Sequence, residues 1–132
     1  MTIDQQQRAA LQLAVQSLSE AELTVKILDY ARATGWDLRY HPYRSTKSKE
    51  GWPDWVFVNV AQHRVVFIEL KGYGQNGDRG QASKAQQEWL DALRQCGQEA
   101  YLWSPDELAD GTIWRVLRGV ELPLIAKAIR EE

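Results

Sequence analysis

The stretch Arg64–Lys71, RVVFIELK, constrains the fold of this chain more than any other. Val66, Ile68 and Leu70 fall on one face of an extended strand. Val65, Phe67, Glu69 and Lys71 fall on the other. Apolar residues on both faces mark a central strand with layers above and below. Just upstream, Trp55–Val60 reads as a second strand, and the short turn Ala61–His63 pairs the two as an antiparallel hairpin.

The surrounding pattern is α, then β, then α, then β. Residues 4–18 carry Leu11, Val15 and Leu18 at helical spacing, with Asp4 expected to cap them. Ser19 opens a second helix, with Glu22 at the capping-box position. Leu23, Ile27, Tyr30 and Ala31 form its apolar stripe, and Gly35 ends it. Trp36–Tyr43 reads as a strand alternating through Trp36, Leu38 and Tyr40. RSTKSKEG (44–51) is a polar loop. After Lys71, GYGQNGDRGQ is expected to be a flexible glycine-rich loop. Ser83 caps a third helix with Gln86 as its box partner. Leu90, Ala92 and Leu93 supply its buried side, and Gly97 terminates it. Glu99–Ser104 is a strand, Pro105–Asp110 a turn with room for a short helix, and Ile113–Leu117 fits a strand or a short helix. Pro123 begins or breaks a last helical segment.

A length of 132 residues predicts one domain with a real core. The 44% apolar and 26% charged fractions fit a folded globular chain. No apolar run approaches the roughly 20 residues of a membrane helix. MTIDQQQRAALQ lacks the basic-then-apolar order of a secretory signal, so a cytoplasmic setting is expected. The single Cys96 excludes an internal disulfide and a cysteine zinc cluster. It is expected to be a small buried residue late in its helix.

The chemistry gathers at one end of the hairpin. Asp54, after Pro53, lies just before the first strand, and Glu69 near the end of the second, so the two carboxylates meet. Glu69 and Lys71 are two apart and share a face. Two carboxylates with a backbone carbonyl such as that of Leu70 suit Mg²⁺ or Mn²⁺. Such an ion polarises a scissile phosphate and lowers the pKa of a bound water. A strand ending in Glu-x-Lys is, taken alone, usually a solvated rim. Pro-Asp at hairpin distance, with basic and glycine-rich loops alongside, favours a site. The net charge is only −2, but its distribution is uneven. Arg39, Arg44, Lys47 and Lys49 precede Pro53-Asp54, and Lys71, Arg79 and Lys84 follow it. By itself such a run is a solvated loop; around an acidic metal site it reads as a phosphate grip.

In this order, GWPDWVFVN, VVFIELKG and SKAQQEWLDALRQCGQEAYLWSPDE resemble the VRR-NUC family of the PD-(D/E)xK nuclease superfamily. SEAELTVKILDYARATGWDLRYH fits upstream, so the resemblance spans about residues 19–118. It implies a restriction-endonuclease-like α/β core, a mixed sheet flanked by helices, and divalent-metal endonuclease chemistry on DNA. Stand-alone members resemble Holliday junction resolvases in being small homodimers; others are fused to larger repair nucleases or helicases. A lone nuclease of this size is also what a phage often carries. Residue by residue, Asp54 matches the motif aspartate, Glu69 the second metal carboxylate and Lys71 the catalytic lysine. Gln86 matches the glutamine on the helix after the sheet; it can serve there and in the capping box together. An acidic residue on the first core helix usually completes such sites, directly or through water. Glu20 and Glu22 compete for that role, and Glu20 is favoured because Glu22 has the capping box. Thr24 stands where many relatives carry glutamine.

The expected site is therefore Asp54, Glu69, Glu20 and the Leu70 carbonyl around Mg²⁺ or Mn²⁺. Lys71 and Gln86 are catalytic, and Arg44, Lys47, Lys49, Arg79 and Lys84 lie on the DNA backbone. His41 either touches phosphate or is structural. Dimerisation through the helix at 4–18, extra to the family core, would double a small DNA footprint. The rival readings are a non-cleaving or partner-dependent DNA-binding module beside a repair helicase, and a nuclease acting on RNA. Trp36, Trp89, Trp103 and Trp114 read as core or dimer contacts; Trp52 is the one considered for DNA. No serine triad or phosphate-gripping GxxxxGK[ST] occurs.

Overall fold

The computed structural model describes residues 2–15, 17–42 and 49–119. The tip of the basic loop, with Arg44 and Lys47, and the segment around Pro123 lie outside the described residues.

Helix α1 spans Ile3–Val15. Its cap is Thr2, not Asp4: the Thr2 hydroxyl accepts from the Gln5 N–H at 3.1 Å, and the Gln5 side chain accepts from the Thr2 N–H at 2.8 Å. Thr-x-x-Gln is itself a capping box one step earlier. Asp4 lies inside the first turn and pairs with Arg8 at 3.1 Å. Helix α2, Glu20–Ala33, has the expected Ser19–Glu22 box. It buries Leu23, Ile27 and Ala31, and ends at Thr34 with Gly35 in the left-handed region (φ 88°).

Four strands follow in the sheet order β1-β2-β3-β4: β1 Leu38–Tyr40, β2 Trp55–Asn59, β3 Arg64–Leu70 and β4 Glu99–Trp103. β1, β2 and β3 pair antiparallel, whereas β4 runs parallel to β3, so the sheet is mixed. The parallel step is bridged by α3, Lys84–Gln95, as a crossover requires. β3 is a central strand, as its two apolar faces predict.

On one face, Phe57, Val66, Ile68, Leu70 and Trp103 pack with Leu23, Ile27 and Ala31 of α2 and with Ile113 and Leu117 of α5 (Thr112–Arg118). Each fully buried aliphatic side chain here contributes on the order of 2 kcal/mol. On the other face α3 lies near β4, and Phe67, Trp52 and Trp89 form a chain of edge-to-face rings. α3 does not cover the β1 side. There Leu38 and Tyr40 are 60% and 63% exposed, although they alternate as core residues would. Trp36 precedes β1 rather than belonging to it. Its buried indole N–H donates to the Leu117 carbonyl at 2.8 Å.

Two further expectations are corrected on α3. Leu90 is buried, but Ala92 is exposed. Cys96 is exposed because it is the C-cap residue, where the chain turns outward into left-handed Gly97. Pro105–Ala109 forms the short helix α4, with Ser104 and Glu107 as its capping box, and α1 packs against it. Ile113–Leu117 lies in helix α5. No helix among the described residues is long and apolar enough to cross a membrane.

At the end of β3 away from Asp54, Arg64 enters the core. Its guanidinium makes a two-pronged contact with Glu99 (2.9 and 2.6 Å) and also donates to Gln62 and to the Val116 carbonyl. Tyr101 donates its hydroxyl to Glu99 at 2.7 Å, and the Trp36 ring lies under the guanidinium. Burial and the Glu99 charge hold the Tyr101 hydroxyl well above its ordinary pKa.

Candidate active site

The β2–β3 register sets the site. Trp55 pairs with Ile68, so one step further Asp54 stands opposite Glu69. The Asp54 N–H donates to Glu69 Oε2 at 3.2 Å, and the Leu70 N–H donates to Asp54 Oδ2 at 2.8 Å. Each carboxylate is thus held by the other strand's backbone, and neither needs a flexible loop to place it.

Glu69 is 1% exposed, against 20% for the side chain of Lys71. Lys71 Nζ lies 3.5 Å from Glu69 Oε1, on the face that their spacing predicts. Gln86 Nε2 donates to the same Oε1, while Gln86 Oε1 accepts from the Ser83 N–H at 2.8 Å. Gln86 therefore serves its capping box and reaches Glu69 together. Burial pushes the Glu69 carboxyl up to about 7. The adjacent Asp54 carboxylate adds to the rise and the Lys71 ammonium opposes it.

Two glycines draw the neighbouring elements onto this pair. A Cβ on Gly72 would stand 2.0 Å from the Glu20 backbone nitrogen. The chain leaving Lys71 is thereby pressed against the start of α2, and the Tyr73 N–H donates to the Leu18 carbonyl at 2.9 Å. That contact puts Glu20, half-buried, at the rim of the cavity lined by Lys71 and Gly72, and of a second cavity lined by Asp54, His41 and Trp55. Glu22 stays with Ser19. On the opposite flank, a Cβ on Gly51 would lie 2.5 Å from the Ala85 carbonyl carbon, so the segment before Pro53-Asp54 abuts the first turn of α3.

The remaining predicted residues divide. His41 joins the site: its Nδ1 donates to the Asp54 carbonyl, and its ring stacks on Trp55 at 4.5 Å. Arg79 lies near Lys71 but is paired with Asp106 at 3.0 Å, and Tyr73 also donates to Asp106, at 2.8 Å. The glycine-rich segment is cross-braced by a Tyr73–Arg79 bridge and a Gly80-to-Gly72 hydrogen bond. Lys49 opens instead onto a groove beside Glu50, Glu88 and Trp89, and Lys84 is exposed on the first turn of α3. Arg39 is partly buried and donates to the Trp36 carbonyl at 2.8 Å. Trp52 packs between Phe67 and Trp89. Sequence reasoning missed Asp106 as the tether of the loop; its signal was local, a carboxylate in the first turn after the Ser-Pro that starts α4.

The donors fit a hard divalent cation. Two carboxylates converge, and one of them is pushed toward protonation by burial first and by the other carboxylate second. An oxygen-preferring ion would offset that repulsion. Among the described residues, no three of His, Cys, Asp and Glu form a ready cluster, so a shell built on Asp54 and Glu69 would take its remaining ligands from backbone carbonyls or water.

A mixed four-stranded sheet flanked by helices, with Asp54 at the hairpin end and Glu-x-Lys on the next strand, defines a PD-(D/E)xK nuclease-like protein. The chain belongs to the VRR-NUC family, whose domain model matches residues 1–104. The match takes in α1, which the sequence had placed outside the family core. A solved structure described as a VRR_NUC domain protein is similar in fold, with a TM-score of 0.55 at 19% identity over 76% of this chain and 91% of that one. No curated protein matches the chain. Family membership implies a nuclease-type function in DNA processing.

Proposed function

We propose that this chain is a Mg²⁺- or Mn²⁺-dependent endonuclease that hydrolyses DNA phosphodiester bonds, selective for branched DNA and acting as a homodimer. The observation that carries the reading is the interlocked group of Asp54, Glu69, Lys71 and Gln86, drawn from two strands and a helix onto one point.

Asp54, Glu69 and the Leu70 carbonyl would hold the ion, with Glu20 contributing through water. When bound, the ion supplies Lewis-acid polarisation of the phosphate and a more acidic water. Gln86 fixes the rotamer of Glu69 through Oε1, leaving Oε2, which accepts the Asp54 N–H, to face the ion. Lys71 presents its ammonium to the attacking water or to the charge growing on phosphorus. His41 braces the Asp54 carbonyl, and its ring edge is available to a neighbouring phosphate. Lys84, Arg79 and Lys49, with Arg44 and Lys47, supply sequence-independent charge for the backbone.

The test is cleavage of labelled single strand, duplex, flap and four-way junction with Mg²⁺, Mn²⁺ or EDTA. Metal-dependent cutting should fall at least about 100-fold in Lys71→Ala and in Asp54→Ala. Paired nicks on the junction, with a dimer by sedimentation, support the branched-DNA reading. Full cleavage by either variant would overturn the site, and binding without cutting under every metal would make the chain a DNA-binding module.

A further inference from the structure

Beside Lys71, on the side away from Asp54, lies a cavity of about 310 Å³. Its floor is Leu102, which neighbours Glu69 across the β3–β4 register. Its walls include Arg79, Gln81, Gln87 and Glu107. The volume sits at the small end of the ~300–1,000 Å³ range for specific small-molecule sites, which suits one nucleotide rather than a stacked pair. Aliphatic floor, amide groups and a carboxylate acceptor together match the flat face and the mixed donor–acceptor edge of a base. Among the described residues, none that lines it is aromatic. Glu107 is held in place by Ser104 (2.9 and 2.6 Å), and Gln87 donates to Asp91 at 2.9 Å, so two of the wall side chains already have partners.

The outer wall, Arg79–Gly80–Gln81, is also the inner wall of the 510 Å³ cavity at Glu20 and Gly72, and Lys71 opens to both. A phosphate at Lys71 therefore lies at the mouth of a compartment large enough for the base next to it.

We propose that this cavity is a nucleotide subsite which takes the unpaired base adjacent to the scissile phosphate. The inference rests on the nuclease reading above and narrows it. A base paired and stacked in duplex cannot enter, so the substrate class is DNA whose cleaved strand is unpaired at, or readily extruded from, that position. Local unpairing, rather than the global shape of a junction, then sets selectivity.

The experiment places 2-aminopurine at successive positions along a flap and along a matched duplex, with the full-length protein in EDTA so that nothing is cut. A base that leaves the stack for a pocket without aromatic walls becomes brighter. The expected result is a several-fold rise in emission at a single position of the flap, next to the bond that the unlabelled flap loses when Mg²⁺ or Mn²⁺ is added. Leu102→Trp, which fills the floor, should abolish the rise while leaving the anisotropy-measured affinity within about twofold. Gln87→Leu, at a half-buried wall position of α3, should cut the rise at least threefold and serves as the second variant if the first does not fold. Emission unchanged at every position, or a rise that neither folded variant alters, overturns the subsite. If cleavage persists in that case, the nuclease reading survives without it. If anisotropy shows no bound DNA and no metal supports cleavage, both fall.

Discussion

Between pH 4.5 and about 7, the folded protein holds a proton on Glu69 that the unfolded chain releases. The sign follows: with a raised carboxyl pKa the native state binds the extra proton, so this group's contribution to stability is greatest below pH 4.5 and is lost as pH rises through 7. The expected loss is of order 2 kcal/mol. Urea denaturation in EDTA at pH 5 and pH 8 measures it. Glu69→Gln should remove most of that pH difference and unfold later than wild type at pH 8, while cleaving nothing. Added Mg²⁺ should stabilise wild type more at pH 8 than at pH 5, because ion and proton compete for the same oxygens, and should stabilise Glu69→Gln little. An equal Mg²⁺ effect on both proteins would place the ion elsewhere. At the opposite end of β3, Glu99→Ala should cost about 3–5 kcal/mol, since it strands the Arg64 guanidinium in the core; thermal denaturation reads this directly.

At the scale of elements, glycine contacts hold the site in register. Gly72→Ala places a methyl inside the backbone of α2 and should separate Lys71 from Glu20. A loss of about 2 kcal/mol or more is expected, with cleavage falling further than stability explains. Gly77, where a Cβ would meet nothing, is the control, its cost limited to left-handed strain of about 1 kcal/mol. Much at this scale was legible in the chain. Ser19, Ser83 and the left-handed glycines fixed helix ends through purely local hydrogen bonding, and the Asp54–Glu69 meeting follows from hairpin register alone. What was not legible depended on distant partners. Alternation at Leu38 and Tyr40 identified a face but not whether α3 would reach it. Cys96 looked buried from its place late in an amphipathic helix, yet capping geometry turned it out. The Arg64–Glu99 pair joins positions 35 apart, each of which resembles an ordinary solvated charge; the one available hint was an arginine leading directly into VVFIEL.

For the whole molecule, a net charge of −2 means that affinity for DNA must come from local cations rather than from global attraction. Binding should therefore weaken steeply with salt. Lys84→Ala, in the exposed first turn of α3, should flatten the log–log slope by about 1 and lower affinity for all sequences alike. A salt-independent affinity would argue against a backbone grip. The same viewpoint explains why α1 matters beyond its own propensity: its exposed Ile3, Leu11 and Leu13 are apolar surface on an element whose documented packing partner is α4. If the protein is a dimer, Leu13→Glu is a direct probe, expected to shift the sedimentation coefficient toward monomer without touching the catalytic group.

Strand β3 begins with a charge that is fully answered within the fold, Arg64, and ends with one that burial and the neighbouring Asp54 oppose, Glu69. Cohesion resides at the first end and reactivity at the second. Disarming substitutions such as Asp54→Asn or Glu69→Gln should thus yield well-folded proteins that bind without turning over. Such proteins would be practical baits: recovered from cells with nucleic acid still attached, they would let the molecule itself report which structures it engages.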